Sequence, residues 1–83
     1  MRRAEFDATF KSNAVAFDAA AGYPVGETIF YECSICRDVL PSEPPDSENC
    51  TCGNLYIDID AGRMGARRGD ETLTLLRAER RLQ

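Results

Sequence analysis

The chain has 83 residues, 43% hydrophobic and 29% charged, with four cysteines and no histidine. That is one small domain spanning residues 1–83; a chain this short buries only roughly 60% of its unfolded surface, so its core is thin and a cross-link or metal would help it fold. A formal charge of −4 and a pI near 4.7 disfavour a general nucleic-acid binder, which needs a basic face, and favour basic partners.

In chain order, MRRAEFDATFKSNAVAF mixes charged and apolar residues from the start, unlike the uninterrupted apolar stretch of a signal peptide. No apolar run approaches the ~20 residues that span a bilayer. A cytoplasmic protein with reduced thiols is therefore expected. Phe6, Phe10, Ala14, Phe17 and Ala21 recur at near four-residue spacing, which predicts a helix over about 4–21, closed by Gly22 and Pro24. The rival is a strand over Glu5–Lys11, where Phe6, Ala8 and Phe10 alternate with polar residues.

TIFYE, Thr28 to Glu32, is β-branched and aromatic and predicts a strand. LPSEPPDSEN, Leu40 to Asn49, holds three prolines and three acids and predicts an irregular exposed loop. NLYIDID alternates: Leu55, Ile57 and Ile59 point one way, Tyr56, Asp58 and Asp60 the other, as in a half-buried strand. The glycines of GRMGARRGDE predict a hairpin with outward arginines and a tight turn at Gly69–Asp70. TLTLLRAERRLQ predicts a strand over Thr72–Arg77 that ends in a helical turn.

Charge is uneven along this order. Residues 1–32 carry −2, residues 33–60 carry −5, and residues 61–83 carry +3 through six arginines.

All four cysteines lie between Glu32 and Gly53. Cys33 and Cys36 form C-x2-C; after thirteen intervening residues Cys50 and Cys52 form C-x-C, followed by Gly53. Zinc prefers four ligands at tetrahedral corners, and two close pairs on two turns, joined by a loop, suit that geometry. Gly53 fits a turn that needs positive φ. Arg37 stands at the corresponding place after the first pair, where a left-handed conformation costs a non-glycine residue about 1–2 kcal/mol. Two disulfides, a redox pair or an iron–sulfur cluster compete; the missing export signal and the missing βαβ context favour zinc. Four cysteines close the metal's shell, so the expected Zn2+ is structural and not catalytic. Four thiolates and one divalent cation add −2, taking the chain from −4 to −6.

Tyr56, Asp58 and Asp60 share one strand face and are the candidate partner-binding residues, since an aromatic beside two carboxylates suits an arginine- or lysine-rich surface. The blander alternative is a solvated face paired across the strands to Arg63 or Arg67. The acidic loop Glu43–Glu48 and the arginines Arg77, Arg80 and Arg81 each have a plain reading as solvated segments.

Over YECSICRDVLPSEPPDSENCTCGNLYIDID, Tyr31 to Asp60, the chain resembles small bacterial zinc-ribbon-like proteins. The resemblance implies metal-ligand roles for Cys33, Cys36, Cys50 and Cys52. The C-x-C pair and Arg37 depart from ordinary C-x2-C-G turns. Small acidic proteins of this kind are sometimes similar to immunity proteins that neutralise a toxin.

The expected fold is α+β. An N-terminal helix packs on an antiparallel sheet of three or four strands, with the zinc site and sheet over about 28–77. The expected function is a non-enzymatic, zinc-stabilised interaction module, an inhibitor or immunity-type binder of a basic protein such as a toxin. The alternative is a zinc-ribbon accessory of nucleic acid or the transcription machinery, drawing on the arginines between Arg63 and Arg81.

Overall fold

Alternation along the two most apolar strands explains the architecture. In a computed structural model describing residues 1–82, Ile29, Tyr31 and Cys33 point to one side of their strand while Phe30 and Glu32 point to the other. Leu73 and Leu75 likewise face opposite to Leu76 and Ala78 on theirs. A sheet built on such strands buries both faces and needs a layer on each side.

In chain order the elements are helix α1 (Arg3–Thr9) and strands β1 (Phe10–Val15), β2 (Ile29–Cys33), β3 (Val39–Pro41), β4 (Glu48–Asn49), β5 (Leu55–Asp58), β6 (Arg63–Ala66) and β7 (Leu73–Arg80). Single 3-10 turns cover Ala19–Ala21 and Asp70–Thr72. One sheet has the order β1-β7-β2-β3, the other β4-β5-β6, and every pairing is antiparallel. This is the α+β class expected, with the strands divided between two sheets.

The first layer contact is aromatic. Phe6 of α1 stacks on Phe10 at 5.0 Å between ring centroids and meets Phe30 edge-on at 5.1 Å, over Val39, Leu76 and Ala78. On the opposite face, Leu55 and Ile57 of β5 pack on Ile29, Tyr31, Leu40, Leu73 and Leu75, and the sulfurs of Cys33 and Cys50 lie in this same core. Phe17, Tyr23 and Tyr31 form an aromatic triangle at its flank, with centroids 5.8–6.2 Å apart.

The N-terminal helix is shorter than its periodicity predicts. It ends at Thr9, and Phe10–Val15 is a strand paired residue by residue with Leu75–Arg80. The Phe6/Phe10 spacing suited a continuing helix. It also suits a helix that hands over to a strand with both rings on one aromatic cluster. Pairing with β7 settles the choice, because it gives Phe10–Val15 backbone partners that no local pattern reveals. The rival strand over Glu5–Lys11 is replaced by α1 for most of its length.

Other differences are smaller. The proline loop contributes the short strands β3 and β4 at its two ends. Strand β5 stops at Asp58, so Ile59 turns outward and is 43% exposed. Strand β7 runs to Arg80 with no helical turn in its length, because β1 pairs with it up to that residue. A turn does start at Gly69–Asp70: the N–H of Thr72 donates to the Gly69 carbonyl at 3.0 Å, and Gly69 has φ 110°.

Candidate metal centre

Each cysteine pair sits on a small closed turn. In the first, the N–H of Cys33 donates to the Asp38 carbonyl at 2.9 Å and the N–H of Arg37 to the Cys33 carbonyl at 2.8 Å. In the second, the N–H of Cys50 donates to the Leu55 carbonyl at 2.9 Å and the N–H of Gly53 to the Cys50 carbonyl at 2.9 Å. Both turns thus close from the leading cysteine to the fifth residue after it. The missing residue in C-x-C moves the left-handed position one place earlier, to Gly53, and leaves the closure intact.

The left-handed residues are those the spacing predicts. Gly53 has φ 79°, and Arg37 has φ 64°, the one non-glycine with positive φ among the described residues. Arg37 is held there by charge. Its Nε lies 2.8 Å from Oε2 of Glu32, a buried carboxylate that also takes Nη1 of Arg3 at 3.1 Å. Glu32 therefore ties the first turn to α1.

The two turns bring four sulfurs within 4.8 Å of one another. Sγ of Cys52 lies 3.6 Å from that of Cys50 and 3.7 Å from that of Cys33. Four sulfurs at tetrahedral corners about 2.3 Å from a central ion stand about 3.8 Å apart, so the cluster has the size of a four-thiolate metal site. All four cysteines are free thiols; Cys33 and Cys50 are buried, Cys36 is half-buried and Cys52 is exposed. The structure brings together all four sequence-predicted ligands, and the cluster can hold a metal ion.

Polar donors surround the sulfurs. The N–H of Leu55 reaches Sγ of Cys50 at 3.1 Å, and the Asn54 side-chain amide reaches Sγ of Cys33 at 3.5 Å. Burial pushes the Cys33 thiol up. The N–H of Cys36, the Asn54 amide, the N–H of Ile35 and the Cys52 thiol outweigh it and bring it down to about 6. Burial raises Cys50 instead, to about 12, reinforced by the other three thiols and opposed by the Leu55 N–H. A thiol that already favours its thiolate next to one that does not is a set that a cation completes, since metal binding requires the deprotonated form.

Two residues that sequence reasoning did not single out lock the site. Asp38 is buried, and its carboxylate accepts the Thr51 N–H at 2.7 Å and the Thr51 hydroxyl. These bonds hold its pKa below the usual carboxylate range, against the opposing effect of burial. Asn54, 3% exposed, also donates to Thr72 Oγ1 at 2.9 Å and accepts the Arg68 N–H at 2.8 Å. It links the second turn to Cys33 and to the entry of β7. The sequence signal for both was position: Asp38 follows the first pair by two residues and Asn54 the second pair by two.

The three candidate partner-binding residues lie on or just beyond β5, and the structure gives each a setting. The Arg67 guanidinium covers the Tyr56 ring at 4.9 Å from its centroid, and Arg67 Nε also donates to the Gly53 carbonyl. Asp58 lies 4.0 Å from Arg63, its register partner, and accepts the Ala61 N–H. Asp60 is exposed beyond the strand end. The cross-strand pairing to Arg63 and Arg67 thus exists. The acidic loop joins this region through β4: Glu48 pairs with Ile57, and Ser47 Oγ accepts the Ile59 N–H at 2.8 Å.

The fold and site define a small α+β domain with a four-cysteine centre between two antiparallel sheets. A scan of protein-family models, a search of curated proteins and a search of solved structures each give no match to this chain. No helix of the described residues is long and apolar enough to cross a membrane.

Proposed function

We propose that this chain is a non-enzymatic interaction module. A structural Zn2+ on Cys33, Cys36, Cys50 and Cys52 braces its fold, and an acidic face around β5 receives a basic protein partner, as an inhibitor or immunity protein covers a toxin. The donor set supports the metal's identity: four soft thiolates within 4.8 Å of one another favour zinc over the hard cations, which take oxygen. A closed thiolate shell leaves no coordination position for a reacting water, which supports a structural role.

The observation that carries the partner reading is the pairing of β4 with β5. It lays Ser47 to Asn49, the end of the loop that also carries Glu43 and Asp46, along the strand that ends at Asp58, two residues before Asp60. Acidic stretches far apart in the chain thus meet in one small sheet, where Asp58 is paired with Arg63 at 4.0 Å. The nucleic-acid reading would draw on Arg63 and Arg67, and both already face an acid or an aromatic ring of this chain.

The test is capture of the partner from the native host with the wild-type protein and with an Asp58→Lys, Asp60→Lys double variant. Loss of the partner at unchanged metal content is expected. Equal capture by both proteins removes this face from the reading.

A further inference from the structure

Strand β1 lies at the edge of the four-stranded sheet, and among the described residues only β7 pairs with it. An open strand edge is a template for another strand, and monomeric proteins guard such edges with charge, proline or a bulge. This edge is unguarded over most of its length: Ser12 to Phe17 carries neither charge nor proline, and Asn13, Ala14 and Val15 are exposed.

The two ends of the edge have opposite charge. At the Phe10 end lie Lys11, Arg80, which pairs with Phe10, and Arg81, whose N–H bonds to the Thr9 carbonyl. Glu79, opposite Lys11, offsets one of these. At the Val15 end, Asp18, Asp70 and Glu71 border one depression together with Ala14, Val15 and Phe17. The strand between them spans roughly 17 Å at about 3.3 Å per residue.

We propose that the free edge of β1 is a homodimerisation surface. Two copies pair β1 to β1 antiparallel about a two-fold axis at Asn13, making one continuous eight-stranded sheet. Two-fold symmetry makes the contact self-complementary and closed. With the axis at Asn13, the two copies of Asn13 face each other, Ser12 of each copy faces Ala14 of the other and Lys11 faces Val15. The basic end of each copy then meets the acidic end of the other, twice, while a parallel arrangement would set like charges together. A second copy is the occupant with this polarity already built in. The surface is separate from the acidic face around β5, so self-association and partner binding are independent.

Sedimentation equilibrium of the metal-loaded protein tests this. The expected species is twice the 9.2 kDa chain mass, dissociating on dilution and with added salt as the charged ends are screened. Asn13→Asp places two carboxylates across the axis and should yield monomer where the wild type is dimer. Lys11→Glu and Glu71→Lys should each weaken the dimer by roughly tenfold, and the double variant should recover it. Metal content and circular dichroism report that each variant is folded. Amide exchange of Phe10–Val15 in the wild type, which needs no variant, should slow as concentration rises. A wild type that stays monomeric, a dimer indifferent to these substitutions, a folded double variant that does not recover, or exchange independent of concentration overturns the proposal.

Discussion

The carboxylate of Asp38, two residues past the first cysteine pair, accepts the backbone N–H of Thr51, which lies between the cysteines of the second, at 2.7 Å. Together with the Asn54–Cys33 contact, this side chain sets the distance between two turns that are joined covalently only through a long loop. Without it the turns would be held by one tether fewer, and a metal would have to supply more of the ordering. Asp38→Ala should therefore lower metal affinity by about 10–100-fold, as loss of an outer-shell partner typically does. Asp38→Asn, which retains an acceptor oxygen, should lose less. Competition with a chromophoric chelator measures both, and equal affinities for wild type and Asp38→Ala would refute the coupling.

Removal of the metal should unfold much of the molecule, because Cys33 and Cys50 belong to the larger of its two cores. Elemental analysis of reduced protein should find one metal ion per chain, and a strong chelator should abolish the β-sheet circular dichroism signal. Apparent free energies of about 10–16 kcal/mol for structural zinc exceed what a domain of this size holds in reserve. A spectrum untouched by the chelator contradicts this dependence.

Asn54 serves three polar partners from a buried position: the Cys33 sulfur, the Thr72 hydroxyl oxygen and the Arg68 N–H. Asn54→Leu has a similar volume and leaves these groups without it, at a cost of about 2 kcal/mol. For a domain of this length that lowers Tm by roughly 8–16 °C. Thermal unfolding of the metal-loaded variant checks it, and an unshifted Tm assigns Asn54 no such role.

Arg37 bears two opposed effects, a left-handed backbone and an ion pair with Glu32. Arg37→Ala keeps the strain and loses the pair. Arg37→Gly loses the pair and the strain together. The glycine variant should exceed the alanine variant in stability by about 1 kcal/mol, a reversal of the usual order for these residues. Denaturant titration of the two decides it.

Two tyrosines should titrate late. The Tyr23 hydroxyl donates to Asp70, and that bond, with burial and the carboxylate's charge, pushes its pKa up to about 12. Burial does the same for Tyr31, also to about 12, whose hydroxyl donates to the Pro24 carbonyl at 2.5 Å. Both values exceed the unfolded pKa of about 10. These groups therefore contribute stability that is whole below pH ~10 and lost as pH rises through about 12. Absorbance at the tyrosinate band should lag behind that of the unfolded chain, and Asp70→Asn should advance the Tyr23 step. Coincident curves for folded and unfolded protein would remove both effects.

What the sequence by itself determined is local. The cysteine spacing settled which sulfurs cluster, because each pair needs only a turn of a few residues to converge. The positions of Arg37 and Gly53 settled where the backbone turns left-handed. Alternation in NLYID settled which side of β5 is buried. Contacts between distant segments decided the rest. Phe10–Val15 became a strand because β7, more than sixty residues on, supplies its hydrogen bonds, while helical spacing of the same phenylalanines and alanines pointed the other way. Asp38 and Asn54 acquired their roles only when the two turns met. A polar side chain records in its sequence position that it can bond, but its partner is chosen by the packing of the sheets.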